Sequence, residues 1–129
     1  MLKILDSTVI IDYLRGRPAV ARVNALERTG DVAATTAINV EEVVRGLRED
    51  EIGSARRLLR GLVVLPVEAR AAWQAGQWRR EFATRGITLS QADCLIAATA
   101  STRSASLVTG NPRHFPMSGV AVEHWPVGT

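Results

Sequence analysis

Along this chain, short apolar runs give way again and again to stretches in which apolar residues recur at helical spacing. Leu2 to Leu5 reads as a short buried strand, and Thr8 to Arg15 as a first helix that ends at Gly16, before Pro18. Pro18 suits the first turn of a second helix, in which Ala19, Val23 and Leu26 recur until Gly30 stops the run. Val32 to Thr35 is a strand of small residues. Thr36 or Asn39 can then cap a helix through Val40, Val43, Val44 and Leu47. The pattern predicts a further helix over Ile52 to Leu59, broken at Gly61, and a strand over Leu62 to Leu65, stopped by Pro66.

The second half repeats the alternation. Glu68 to Arg85 is a long amphipathic helix carrying Trp73, Trp78 and Phe82 and ended by Gly86. Ser90 has the character of an N-cap, with Asp93 three residues on, and the apolar run Cys94 to Ala100 gives the following helix a mostly buried character. Ser106 to Thr109 is a fourth strand, followed by the turn Gly110-Asn111-Pro112, and Val120 to Val122 is a last, edge strand. Strands alternating with helices predict an α/β fold, with a largely parallel sheet covered on both faces.

Composition narrows the class. A chain of 129 residues, 47% apolar and 22% charged, is expected to form one globular domain over 1–129. No apolar run approaches the roughly 20 residues of a membrane span, and the N-terminus lacks the layout of a signal peptide. Cys94 is the only cysteine, which rules out an internal disulfide and a cysteine-based zinc site, so a cytoplasmic location is expected. The basic residues are fifteen Arg and one Lys, Lys3, with a net charge of +3. Arg binds phosphate bidentately, which suits contacts to a nucleic-acid backbone, although an Arg-rich solvated surface would have the same composition.

Four polar positions carry the candidate chemistry. Asp6 stands between two apolar runs, where strand one gives way to a helix. Glu42 lies in the helix after strand two, Asp93 opens the mostly apolar helix, and Asn111 follows the fourth strand. In a parallel sheet such positions can meet at the carboxyl edge, where open α/β folds bind ligands. Carboxylates at close range raise one another's pKa, and an oxygen-seeking Mg²⁺ or Mn²⁺ resolves that conflict. Each position also has a purely local explanation. Asp6 can be a helix cap, Glu42 a solvated residue with Glu41 as its rival, Asp93 half of a capping box with Ser90, and Asn111 a turn residue before Pro112.

Their order and surroundings resemble the PIN-domain ribonucleases, most closely the VapC-type toxins of bacterial toxin–antitoxin pairs. The matching segments are Leu5-Asp-Ser-Thr-Val-Ile-Ile11, Glu42-Val-Val-Arg-Gly46, Leu89-Ser-Gln-Ala-Asp-Cys-Leu-Ile-Ala-Ala98 and Leu107-Val-Thr-Gly-Asn-Pro-Arg-His-Phe115. The ending Val122-Glu-His-Trp-Pro126 resembles that family's closing strand.

The resemblance implies a three-layer α/β/α sandwich and a Mg²⁺- or Mn²⁺-dependent endoribonuclease. Its acidic pocket would be Asp6, Glu42 and Asp93, with Asn111 as the fourth member, where the family often has Asp. The implied reaction is in-line attack of water on an RNA phosphodiester. The three acids would hold the ion directly or through waters, and Asn111 would orient a water. Ser7 and Thr109 resemble hydroxyls that support the pocket, and Arg15, Arg45 and Arg113 are candidates for holding the RNA backbone. His114 stands where a family member often has an acid. A VapB-type antitoxin and a homodimer are implied as partners, and Val9, Tyr13, Val20 and Leu58 could be core residues or line an antitoxin groove. A non-catalytic protein acting by RNA or partner binding is the competing reading, because Asn111 brings no charge. A metal-dependent phosphatase fits less well, since Thr8 stands where a second aspartate would be needed.

Overall fold

The computed structural model describes residues 1–128. The strands are β1 (Leu2–Leu5), β2 (Val32–Thr36), β3 (Val63–Leu65), β4 (Ser106–Thr109) and β5 (Ala121–His124). The helices are α1 (Ser7–Leu14), α2 (Ala19–Thr29), α3 (Ala37–Arg45), α4 (Ile52–Gly61), α5 (Ala69–Ala83) and α6 (Gln91–Thr102). Single 3₁₀ turns cover Glu49–Glu51 and Pro112–His114.

Every strand pair is parallel, in the order β3-β2-β1-β4-β5. Alternation along each strand divides the core into two layers. Ile4 and Leu107 face one side with Trp78, Phe82, Ile96 and Ala97 of α5 and α6. Leu5 and Val108 face the other with Val9, Ile10, Leu26 and Val43 of α1 to α3. The sheet is therefore covered on both faces, the three-layer α/β/α sandwich expected from the alternation of elements.

The chain leaves β1 toward β2 on one side, whereas β4 lies on β1's other side. This reversal makes the β1/β4 boundary the topological switch point, where the crevice beyond the strand ends is open to a ligand. Asp6 follows β1 directly, and Gly110 and Asn111 follow β4.

Several expected boundaries shift. The third helix ends at Arg45 with Gly46 as its C-cap, so Leu47 lies beyond it. The last strand runs on to His124, because Glu123 and His124 pair in register with Val108 and Thr109. On α5, Trp78 and Phe82 are buried, but Trp73 is 73% exposed and belongs to the outer face. Val9 is core, whereas Tyr13 and Leu58 are half-buried.

Candidate acidic pocket

Asp6 occupies the N-cap position of α1 in extended geometry, and its carbonyl accepts the first helical amides, from Val9 and Ile10. Its side chain makes no capping bond. The carboxylate turns toward the switch point instead, where Oδ2 accepts from Thr109 Oγ1 at 2.7 Å and Thr8 Oγ1 at 3.2 Å, and Oδ1 accepts from Asn39 Nδ2 at 3.2 Å. Asp6 is 6% exposed. Burial pushes its pKa above the usual carboxylate range; the hydrogen bonds, led by Thr109, oppose this, and the charge of nearby Asp93 adds to it.

Asn39 is the structural hub of the pocket, and it is fully buried. Its Oδ1 accepts from the Thr36 amide and hydroxyl, while its Nδ2 donates to Asp6 and to Ser7 Oγ at 3.0 Å. An ionised carboxylate only accepts, so this pairing determines which end of the amide faces Asp6. Thr36 and Asn39 together form a reciprocal capping box at the start of α3. Ser7 passes the connection on, donating to Glu42 Oε1 at 2.8 Å, one turn further along α3. Glu42, half-buried, is thereby distinguished from Glu41, which pairs with Arg45 at 3.5 Å in solvent.

Asp93 sits in the first turn of α6. Its backbone amide donates to Ser90 Oγ at 3.0 Å, so Ser90 is the cap, but the Asp93 carboxylate does not complete a box. It lies close enough to Asp6 to raise that group's pKa, and its Oδ2 is 3.8 Å from His114 Nδ1.

The fourth corner hangs from β4. The Asn111 amide donates to Thr109 Oγ1 at 3.0 Å and the Gly110 amide to Thr8 Oγ1 at 3.0 Å. The Asn111 side chain meets His114 Nε2 at 3.0 Å through Nδ2. The C-terminal segment closes this corner. The Trp125 amide bonds Thr109 O, and Val127 packs so tightly on Gly110 that a Cβ there would stand 2.6 Å from its methyl. Buried Asp12 accepts from the Ala19 amide with one oxygen and from the Gly128 amide with the other, which ties the segment to the turn between α1 and α2.

The structure thus brings Asp6, Ser7, Glu42, Asp93, Thr109 and Asn111 to one edge of the sheet. The candidate arginines divide. Arg15, at the far end of α1, is paired with Glu51 at 3.4 Å, Arg45 is paired on the α3 surface, and Arg113 is exposed in the turn beside His114. Sequence reasoning missed Thr8 and Asn39 as supports of the carboxylate. The signal available was Asn39 itself, a polar residue three positions after Thr36 and three before Glu42.

Ion pairing separates these acids from six others, though Asp12, Glu27, Glu49 and Asp50 also have no cationic partner among the described residues. Asp31, Glu41, Glu51, Glu68, Glu81 and Glu123 each have a cationic partner. Among the described residues neither Asp6 nor Glu42 has one, and Asp93 meets only His114. The donors are hard carboxylate oxygens, which suit Mg²⁺ or Mn²⁺. No three His, Cys, Asp or Glu side chains among the described residues stand close enough to grip one ion directly. A Mg²⁺ held by these acids would need waters to complete its coordination.

Comparison with known proteins gives matches over most of the chain. A family model described as PIN domain matches residues 3–118. Ribonuclease VapC19 of Mycobacterium tuberculosis is 34% identical over 117 residues, covering 90% of this chain and 94% of its own. The tRNA(fMet)-specific endonuclease VapC of Shigella flexneri is 29% identical, covering 97% and 99%. The DNA-bound VapBC structure from Salmonella typhimurium superposes with a TM-score of 0.83 at 26% identity, covering 97% of this chain and 99% of its own.

Proposed function

The chain belongs to the PIN-domain family, among its VapC-type members, and on that premise we propose that it is a divalent-metal-dependent endoribonuclease acting as the toxin of a toxin–antitoxin pair. The observation that carries the reading is Asp6, a buried carboxylate held by three side-chain donors, with no Lys or Arg partner among the described residues. It lies near Asp93 and is linked through Asn39 and Ser7 to Glu42.

A Mg²⁺ or Mn²⁺ bound there supplies Lewis acidity toward a phosphoryl oxygen and lowers the pKa of a coordinated water. The chain's own residues do the positioning. Thr109, Thr8 and Asn39 lock the Asp6 carboxylate, and Ser7 holds one oxygen of Glu42 and leaves the other for a water or ligand. Asp93 completes the acidic face from α6, and Asn111 offers a neutral oxygen to orient a water. Arg113, exposed in the turn beside His114, would contact RNA phosphate, and Arg45 could join it, since an exposed ion pair such as Arg45–Glu41 contributes little. Arg15 is the weakest of the three candidates, being already engaged by Glu51.

The test is cleavage of single-stranded and structured RNA by the purified protein with Mg²⁺ or Mn²⁺. Cleavage that EDTA and Asp6→Asn both abolish is the expected result. Intact RNA, with cellular toxicity unchanged by Asp6→Asn, would overturn it. Asn111 favours one alternative, a PIN-fold protein acting by binding alone, and toxicity that persists in a variant unable to bind metal would select it.

Relatives solved as VapBC complexes support an antitoxin partner. A groove of about 520 Å³ between α2 and α4, lined by Tyr13, Val23, Leu26, Leu58 and Leu62, suits an apolar antitoxin segment. A homodimer and a cytoplasmic location belong to the same reading. No helix among the described residues is long and apolar enough to cross a membrane. Light scattering that returned a lone monomer would count against the dimer.

A further inference from the structure

Resting on the nuclease reading, we propose that His114 is a positioning residue for Asn111: its ring engages the Asn111 amide nitrogen and leaves the oxygen as the ligand atom of the pocket's fourth corner.

The argument starts from the two ring nitrogens. Nδ1 faces Asp93 Oδ2 at 3.8 Å, and Nε2 faces the Asn111 side chain at 3.0 Å. An amide nitrogen can only donate, so Nε2 must accept from Asn111 Nδ2. A neutral imidazole has one donor and one acceptor, so the ring hydrogen belongs on Nδ1, the edge toward Asp93, which at 3.8 Å lies beyond hydrogen-bond distance. Edge-on packing against buried Phe115, with centroids 6.5 Å apart, helps hold the ring. Asn111 precedes the 3₁₀ turn Pro112–His114, yet its side chain makes no capping bond. Oδ1 has no hydrogen-bond partner among the described residues, while the backbone amide of the same residue is anchored on the Thr109 hydroxyl that also bonds Asp6.

This arrangement answers a problem peculiar to an amide in an acidic pocket. A carboxylate presents oxygen whichever way it turns, but a free amide can equally present its NH₂, which repels a cation. A partner that only accepts from the amide removes that ambiguity, much as outer-shell partners orient direct ligands. Asn111 and His114 together then act as one neutral corner.

Calorimetric titration of the metal-free full chain with Mn²⁺ tests the proposal, with Asp6→Asn as the control for the pocket itself. His114→Ala should weaken Mn²⁺ binding about tenfold, the low end for loss of an orienting partner. His114→Gln places an amide oxygen where Nε2 stands, so it should retain close to wild-type affinity. In the Asn111→Ala background, His114→Ala should add nothing, since it acts through Asn111. In the metal-free protein, ring ¹⁵N shifts should report the Nδ1–H tautomer.

Additive losses in the double variant, full affinity in His114→Ala, or an Nε2–H ring would overturn the proposal and leave the nuclease reading standing. A wild-type chain that takes up no Mn²⁺ would bring down both.

Discussion

The Thr109 hydroxyl donates to Asp6 Oδ2 at 2.7 Å, joining residues 103 positions apart across the β1/β4 boundary. Both groups are buried, and the same hydroxyl accepts from the Asn111 amide. One side chain thus holds the pocket's first acid and its fourth corner in a common frame.

Thr109→Val keeps the shape and removes the hydroxyl, leaving a buried carboxylate short of a donor and the Asn111 amide without its acceptor. Such a loss costs about 1–3 kcal/mol. Denaturant unfolding should show that destabilisation, and RNA cleavage should fall more than stability alone explains. A Thr109→Val protein with wild-type midpoint and activity would remove Thr109 from the supporting frame.

Asp6 carries the pH dependence. Its folded pKa is raised, chiefly by burial, so the metal-free fold binds that proton more tightly than the unfolded chain does. That contribution is fully present below the unfolded carboxylate pKa and is lost as pH rises through the higher folded value. Asp6→Asn should therefore melt higher than wild type at neutral pH in EDTA, and the difference should shrink toward low pH. The Thr8 and Thr109 hydroxyls can rotate to accept from the new amide while its oxygen still accepts from Asn39. A variant that melts lower than wild type at neutral pH would contradict this.

Metal should reverse that order. An ion that binds only the folded state stabilises it by about 2.7 kcal/mol at a hundred times its dissociation constant. Thermal melts with saturating Mg²⁺ or Mn²⁺ should shift upward for wild type and stay put for Asp6→Asn. Equal shifts in the two proteins would place the ion elsewhere.

The C-terminal segment offers an independent check of the pocket wall. Gly110→Ala drives a Cβ into Val127, at an overpacking cost of about 1–3 kcal/mol unless the segment lifts away. Val127→Ala should rescue most of the loss in a double-mutant cycle. Losses that simply add would show that the contact is not what demands glycine at position 110.

Much of this molecule is legible locally. The strand runs, the helix stop at Gly30 and the Ser90 cap are set by periodicity and backbone preference within a few residues, and they appear close to where they are expected. Helix α5, by contrast, ends at Ala83 with Thr84 as its C-cap, short of the expected Arg85 and Gly86. Four motifs in order carry the resemblance that implies the sandwich and its candidate acids, and the parallel sheet brings the strand ends to one edge.

Tertiary structure decided what each polar group does there. By sequence Asp6 is open to two readings, pocket acid or N-cap, and only β4 and α3, brought alongside, turn its carboxylate away from the helix toward Thr109 and Asn39. Arg15 is available for RNA by sequence, yet Glu51, 36 residues on, claims it. Asp12 is one more helix acid by sequence, yet the turn before α2 and the C-terminal segment each supply it an amide. Local sequence sets backbone geometry, which depends on near neighbours. A buried polar side chain takes whichever partner the distant chain provides, because leaving it unpaired costs more than any local preference returns.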